Sequence, residues 1–251
     1  MKRIIIKLFA VVMAVLTFSG LAWTQAWNHD PASPMGHFHW GAVTPSFATC
    51  GDSIKGQVGM KQSPIDIVPG NASAASFAPL LFKYKPTPLK IANTGHYVEV
   101  PYDPTSFLYV GTQMTDVYQL VQFHCHAPSE HTIIGVLLSS SAAGLPIFNT
   151  IMANSPTSPE EIELSGEVNV FDLLPFRKSF YRYAGSLTTP ACSESVQWFL
   201  MQNPVLITPG ALAKVHSIIS MFPNYGGYAN NNRPIANQNG RSVLTSNRNN
   251  N

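Results

Sequence analysis

The stretch "QFHCHAPSEH", Gln122 to His131, sets two histidines one residue apart and a third a few residues further on. It continues an apolar run rich in β-branched and aromatic residues, so the expected element is a β-strand over Val117 to His126. Alternate residues of a strand share a face. His124 and His126 therefore point the same way with Gln122 beside them, and Phe123 and Cys125 point the other way. Two imidazoles on one rigid face are half of a zinc site, because zinc is normally held by at least three protein ligands. A single half-buried histidine is more often a packing residue, so the surroundings have to decide.

Outward from this strand, short apolar segments recur at Lys90 to Val100, Phe107 to Val110, Ile133 to Leu138, Phe148 to Ala153 and Val196 to Met201. They are bounded by Pro, Gly, Asn and Ser, and 20 prolines with 17 glycines leave little room for long helices. The texture is that of a mainly β protein with antiparallel pairing and irregular connections. The clearest helix starts at Thr208-Pro209, a cap followed by proline at the first helical position. It runs through Leu212, Val215, Ile218 and Ile219 and stops before Pro223. A weaker helical turn surrounds Val170 to Leu174.

The first 26 residues read as a secretory signal peptide. Lys2, Arg3 and Lys7 precede the apolar run Leu8 to Phe18, and cleavage fits after Ala22 or Ala26. That leaves one domain over 27–243, a disordered tail over 244–251, and a secreted or periplasmic protein with no membrane span once the signal is removed. Only 11% of residues are charged and the formal charge is +2, which is no nucleic-acid footprint. Three cysteines in an oxidising compartment favour one disulfide and one leftover thiol. Cys125 lies inside the histidine strand, which makes Cys50 and Cys192 the better pair.

Several separate patches fall in one order: "HWGA" from His39, "KQSPIDI" from Lys61, "NTGHYVEV" from Asn93, the opening stretch, "YAGSLTTPACSESVQW" from Tyr183 and "NNRPIANQNGR" from Asn231. Together, from about His39 to Arg241, they resemble the α-class carbonic anhydrases. The resemblance implies a twisted, mostly antiparallel central sheet with a few short helices, and a zinc ion (Zn2+) as cofactor. It also implies reversible hydration of carbon dioxide to bicarbonate and a proton. Zinc brings the pKa of its bound water to about 7, a value for which this family is itself the reference case.

Residue by residue, the resemblance makes His124 and His126 zinc ligands and Gln122 the group that orients one of them. Thr188 is then the hydroxyl that orients the attacking oxygen, Glu130 the carboxylate that holds Thr188, and His96 the proton shuttle. Ile133, Leu187 and Trp198 wall the carbon dioxide pocket, Thr189 lines its entrance, and Cys50 and Cys192 match the disulfide of secreted members.

One piece of the pattern is missing. The family's third zinc-binding histidine lies on a neighbouring strand after the Ser-Glu-His motif. Here "SEHT", Ser129 to Thr132, runs straight into "IIGVLL", Ile133 to Leu138, which resembles a later strand. His131 is the nearest substitute ligand. His29, His37 and His39 belong to an N-terminal segment expected to be flexible and are weaker candidates. Loss of a central strand leaves backbone groups unpaired unless Ile133 to Leu138 moves into the vacant place. A non-catalytic extracellular binding module on the same fold is the alternative function.

Overall fold

The computed structural model describes residues 27–51, 59–111, 116–131, 138–140 and 144–246, the stretch 138–140 by its backbone alone. The signal peptide and Ile133 lie outside the described residues. In chain order the strands are β1 Ser73–Ala74, β2 Leu81–Lys83, β3 Thr87–Asn93, β4 Val98–Pro101, β5 Phe107–Val110, β6 Asp116–Gln119 and β7 Gln122–His124. They continue with β8 Leu138–Ser140, β9 Glu160–Val168, β10 Phe180–Gly185, β11 Val196–Met201, β12 Val205–Ile207 and β13 Leu244–Thr245. Among the described residues three short helices accompany them: α1 Trp40–Val43, α2 Pro146–Asn154 and α3 Pro209–Ser220. Val170–Leu173 is a single 3-10 turn. The protein is mainly β with few short helices, as the sequence leads one to expect.

The strands form four ladders among the described residues. They run in the orders β7-β4-β3-β9, β1-β13-β10-β11, β2-β5-β6 and β12-β8. Pairing is antiparallel except at β1–β13 and β8–β12. In β3 the period of two is plain, because Thr87, Leu89, Ile91 and Asn93 are buried while the residues between them are exposed or half-buried. Leu89, Ile91, Val98 and Val100 meet Phe148, Ile151 and Met152 of α2 and Val215, Ile218 and Ile219 of α3 in the largest core. Each such side chain, fully buried, contributes roughly 1.5–3 kcal/mol. This sandwich of ladder and helices is the platform from which β7 presents its histidines.

The apolar run Phe148 to Ala153 is helical, not a strand. Pro146 sits at the helix start, and Phe148, Ile151 and Met152 recur at helical spacing on the buried face. A short apolar run does not separate the two states by periodicity alone. The run Val117 to His126 is likewise not one strand. Leu120 donates its N–H to the Ser106 carbonyl (2.8 Å), and the Val121 carbonyl accepts from Tyr102 N–H (2.9 Å). These bonds turn the chain between β6 and β7 and place the two strands in different ladders. Lys90 to Val100 is two strands folded about Thr94–Tyr97. There Gly95 takes φ +84°, in the left-handed region that glycine adopts without strain, and donates to Asn93 Oδ1 at 2.8 Å.

The expected tail boundary at 243 is too early. Leu244 and Thr245 pair with both β1 and β10, and Ser246 Oγ accepts from the Phe180 N–H, so their backbone groups are bound into the sheet. Of the run Ile133 to Leu138, residues 133–137 lie outside the described residues. β8 begins at Leu138 and pairs with β12, and the described partner of β7 is β4 alone. Cys50 and Cys192 form the disulfide, packed with the fully buried Trp40. Gly41 is required here because its N–H donates to the Gly51 carbonyl (2.9 Å) and a Cβ would run into the Gly51 backbone. Cys125 is the remaining free thiol and packs against the main core.

Candidate metal centre

β7 ends at His124, which lies opposite Glu99 of β4. His126 stands beyond the strand, yet its Nε2 lies 3.0 Å from His124 Nε2. The far side of each ring is fixed. His124 Nδ1 is 2.8 Å from Gln122 Oε1, and His126 Nδ1 is 2.7 Å from the Asn231 carbonyl oxygen. Both acceptors call for a proton on Nδ1, which leaves a lone pair on each Nε2. Two lone pairs facing each other at 3.0 Å repel unless a cation lies between or beside them. This donor set therefore fits zinc, whose bonds to imidazole are about 2.0–2.1 Å.

Asn231, to which sequence reasoning assigned no role, is bonded into the candidate site. Its side chain is almost wholly buried. Its amide donates to the carbonyls of His96 (3.2 Å) and Cys125 (3.4 Å), and its Oδ1 accepts from the Ala127 N–H (2.8 Å). One side chain thus ties the β3–β4 turn to the histidine segment, while its backbone carbonyl orients His126. The motif "NNRPIANQNGR" was the available signal, but nothing in it says which asparagine faces inward.

Glu130 and His131 are both buried. His131 Nε2 is 2.7 Å from Tyr183 Oη, which in turn donates to Ser63 Oγ at 2.9 Å. That nitrogen is engaged with the Tyr183 hydroxyl. Burial, and next the charge of His126, lower its imidazole to about 4. Glu130 Oε1 accepts from the Arg233 N–H at 3.0 Å and stands 3.5 Å from His126 Nδ1. Thr188 is buried, but no hydrogen bond among the described residues joins it to Glu130. The carboxylate oxygen is instead taken by the Arg233 amide.

His124 is exposed at the surface, with its ring stacked on Tyr97 at a centroid distance of 4.4 Å; the protein atoms packed about it, and then the charge of His126, lower it below the usual imidazole range. His96 stacks on Trp27 with ring centroids 3.7 Å apart and planes 4° off parallel, and burial holds it at about 4 rather than near neutrality. Its Nδ1 is buried without a hydrogen-bond partner among the described residues.

The segment from Trp27 to His39 is hydrogen-bonded into the fold. Asn28 donates its side-chain amide to the Asn224 carbonyl (2.9 Å), and the Asn28 carbonyl accepts from the indole N–H of the fully buried Trp40 (2.9 Å). His37 Nδ1 donates to the His29 carbonyl (2.7 Å). His29 itself is 0% exposed and sits beside His126, with centroids 6.4 Å apart. One ligating atom each from His29, His126 and Glu130 lies within 4.8 Å of the other two.

A cleft of about 250 Å³ is lined by Ser129, Glu130, His131, Arg233, Pro234 and other residues of the two segments that face each other there. Leu187, Thr189 and Trp198 are not among its walls. Leu187 is exposed, Thr189 accepts the Cys192 N–H in a turn, and Trp198 is half-buried with its ring 4.9 Å from that of His131.

The model of the eukaryotic-type carbonic anhydrase family matches residues 35–140 and 132–247 of this chain. The chain belongs to that family, the α-class carbonic anhydrases. A carbonic anhydrase of Nostoc sp. is 31% identical, with 97% of each chain covered. One from Pectobacterium carotovorum is 29% identical over 95% of this chain and 98% of its own. Among solved structures, the α-carbonic anhydrase of Thermovibrio ammonificans, determined with the inhibitor sulfanilamide, superposes with a TM-score of 0.77. It is 29% identical and covers 88% of this chain and 99% of its own.

Proposed function

We propose that this carbonic anhydrase catalyses the reversible hydration of carbon dioxide to bicarbonate and a proton, with zinc held from His124 and His126. The observation that carries the reading is the convergence of the two Nε2 lone pairs at 3.0 Å, each ring fixed from behind by an acceptor on Nδ1. When bound, zinc supplies a Lewis acid that brings the ionisation of water near pH 7, carbonic anhydrase being the standard case.

The chain's own residues do the rest. Gln122 and the Asn231 carbonyl keep both imidazoles in the tautomer that offers Nε2. Thr188 offers a buried hydroxyl to orient the attacking oxygen, and Leu187 and Trp198 provide apolar surface for carbon dioxide, with Thr189 at the entrance. Glu130, kept in place by the Arg233 amide, supplies the negative charge beside His126. His96 takes the departing proton at a ring nitrogen and passes it to buffer. While stacked on Trp27 it is held at about 4, so uptake at neutral pH belongs to a ring turned off the indole into water. The disulfide and the apolar N-terminal run support a place outside the cytoplasm. Among the described residues no helix is long and apolar enough to cross a membrane.

A non-catalytic binding module is favoured by one observation. The alignment with the Nostoc enzyme runs over 276 positions against a chain of 251, so gaps fall in this chain. Zinc per chain in protein purified from its natural source, with stopped-flow carbon dioxide hydration on the same sample, separates the two. About one zinc and a rate abolished by His124→Ala support the enzyme. Zinc-free protein that stays inactive when zinc is added overturns it in favour of the module.

A further inference from the structure

His124 has to deliver a lone pair in one direction, yet it ends a strand of three residues and is exposed at the surface. Gln122 Oε1 holds its Nδ1 at 2.8 Å, which fixes the tautomer and one point of the ring. A single hydrogen bond leaves the ring free to swing about that point, so the plane of the imidazole needs a second support. The ring of Tyr97 supplies one. It lies over the face of His124 with centroids 4.4 Å apart and planes 23° from parallel. Stacked aromatic pairs attract beyond the area that they bury. We propose that Tyr97 is a positioning residue for the metal: its ring sets the plane of His124, and so the direction of the Nε2 lone pair, and it slows the loss of zinc from the site.

The pleat of the sheet brings the two rings together. Glu99 of β4 stands directly opposite His124 of β7. Tyr97 precedes Glu99 by two residues, so it projects from the same face and reaches His124 as a diagonal neighbour. The backbone of Tyr97 is pinned as well. Its N–H donates to Thr94 Oγ1 (3.2 Å), and its carbonyl accepts from the Thr94 N–H and from the Thr94 hydroxyl, both at 3.0 Å. The carbonyl before it, that of His96, accepts from the Asn231 side-chain amide at 3.2 Å, and the Asn231 carbonyl is the acceptor behind His126. The β3–β4 turn therefore serves both ligands, through Tyr97 for His124 and through Asn231 for His126. Zinc leaves when a ligand ring swings away from it, and a ring stacked on a half-buried phenol has to part from that phenol first. Loss of a group that supports a ligand typically costs about tenfold to a hundredfold in metal affinity, and one stacked pair belongs at the lower end. The inference rests on the zinc reading above, keeps His124 and His126 as ligands, and adds the support that aims the first of them.

Metal retention tests this with no need of catalysis. Zinc-loaded protein is mixed with an excess of a strong chelator and the release of zinc is followed. Affinity is measured against a chromophoric chelator, and cobalt(II) reports the ligand geometry by its visible absorption. The parent is compared with Tyr97→Leu and Tyr97→Thr, which remove the ring, and with Tyr97→Phe, which keeps it. His124→Ala tests the zinc reading, and Tyr109→Leu, on β5 of another ladder, is the control outside the site. Each protein is checked for an intact disulfide and a native circular dichroism spectrum before metal is added. In the ring-less variants the expected result is zinc release roughly three- to tenfold faster, affinity weaker by a similar factor and a changed cobalt spectrum. Tyr97→Phe and Tyr109→Leu are expected to behave like the parent. In the metal-free parent, the His124 ring protons should be shifted upfield by the ring current of Tyr97, with His124→Ala identifying the resonances.

A folded Tyr97→Leu or Tyr97→Thr that binds and releases zinc like the parent overturns the role of Tyr97. If His124→Ala abolishes binding in the same series, the zinc reading survives that failure. Equal weakening in Tyr97→Phe assigns the effect to the hydroxyl and overturns the stack. His124 ring protons at ordinary imidazole positions overturn it too, whether or not the variants fold. A folded parent that takes up neither metal, or a His124→Ala variant that binds like the parent, overturns the zinc reading and this inference with it. Faster release from the ring-less variants, restored by Tyr97→Phe, sustains the inference.

Discussion

At the scale of single residues, a buried cation underlies the candidate site. Arg233 is 6% exposed, yet its guanidinium donates to Gln62 Oε1 (2.7 Å), the Ser63 carbonyl (2.9 Å) and the Cys50 carbonyl (3.0 Å). Its backbone N–H holds Glu130. Burial lowers it to about 10, against the opposing charges of Glu130 and Glu194, so it remains charged at neutral pH. A buried ion of this kind is costly to strand and equally costly to delete, because its acceptors are left unpaired. Arg233→Met keeps much of the volume and removes every side-chain donor. The expected loss is roughly 3–5 kcal/mol in urea unfolding followed by tryptophan fluorescence. A loss below about 1 kcal/mol would mean that water replaces the guanidinium, and that Glu130 is held by the backbone alone.

At the scale of elements, the helix α3 shows what sequence can fix. Thr208 Oγ1 accepts the Ala211 N–H at 3.2 Å and donates to Asn149 Oδ1 of α2 at 2.8 Å, so one hydroxyl caps α3 and ties the helix pair. Thr208→Ala should cost about 1 kcal/mol, typical of a lost cap, while Thr208→Ser keeps most of the stability. A larger deficit in the alanine variant would assign the excess to the α2 contact. This cap, the proline behind it and the buried stripe Val215, Ile218 and Ile219 are local signals, and they were legible without coordinates. Helix α2 was not, because a run such as Phe148 to Ala153 is apolar in either state and its packing against α3 decides. The break between β6 and β7 was hidden for a similar reason. It is made by bonds to Tyr102 and Ser106, partners far enough along the chain to leave no trace in the run itself. In the site, the His124–His126 pair announced itself by spacing. His29 did not, since its immediate neighbours Asn28 and Asp30 are polar, and Trp40 and Tyr225 reach it from other segments.

At the scale of the whole molecule, the disulfide joins residues 142 positions apart and so restrains more than half of the chain. In the chain-entropy account a loop of that length is stabilised by roughly 5 kcal/mol. That restraint helps the fold carry a set of histidines that burial keeps neutral. His96 and His131 are lowered to about 4, and His29 is lowered well below 6.5 by burial and then by the charges of His126, His37, His96 and Arg233. In the unfolded chain each of these imidazoles titrates near 6.5. Between that pH and about 4, the unfolded state therefore binds protons that the folded state refuses, and stability rises with pH across the window. It is complete above about 6.5 and is lost progressively as the solution is acidified toward 4. Each group contributes about 1.4 kcal/mol per pH unit where it is fully out of step, so three contribute roughly 4 kcal/mol per unit at most. Glu99, whose carboxyl is raised by burial and then by Glu161, works in the opposite sense over a narrower range and does not reverse the trend. Against a total stability of about 5–15 kcal/mol, such a slope is a substantial fraction of the whole. Scanning calorimetry of the metal-free protein should find a melting temperature that is level above pH 7 and falls steeply between 6.5 and 4. A melting temperature that stays level through that interval would mean the buried imidazoles protonate in place, and that the neutral cluster at the heart of the site is not what the fold protects.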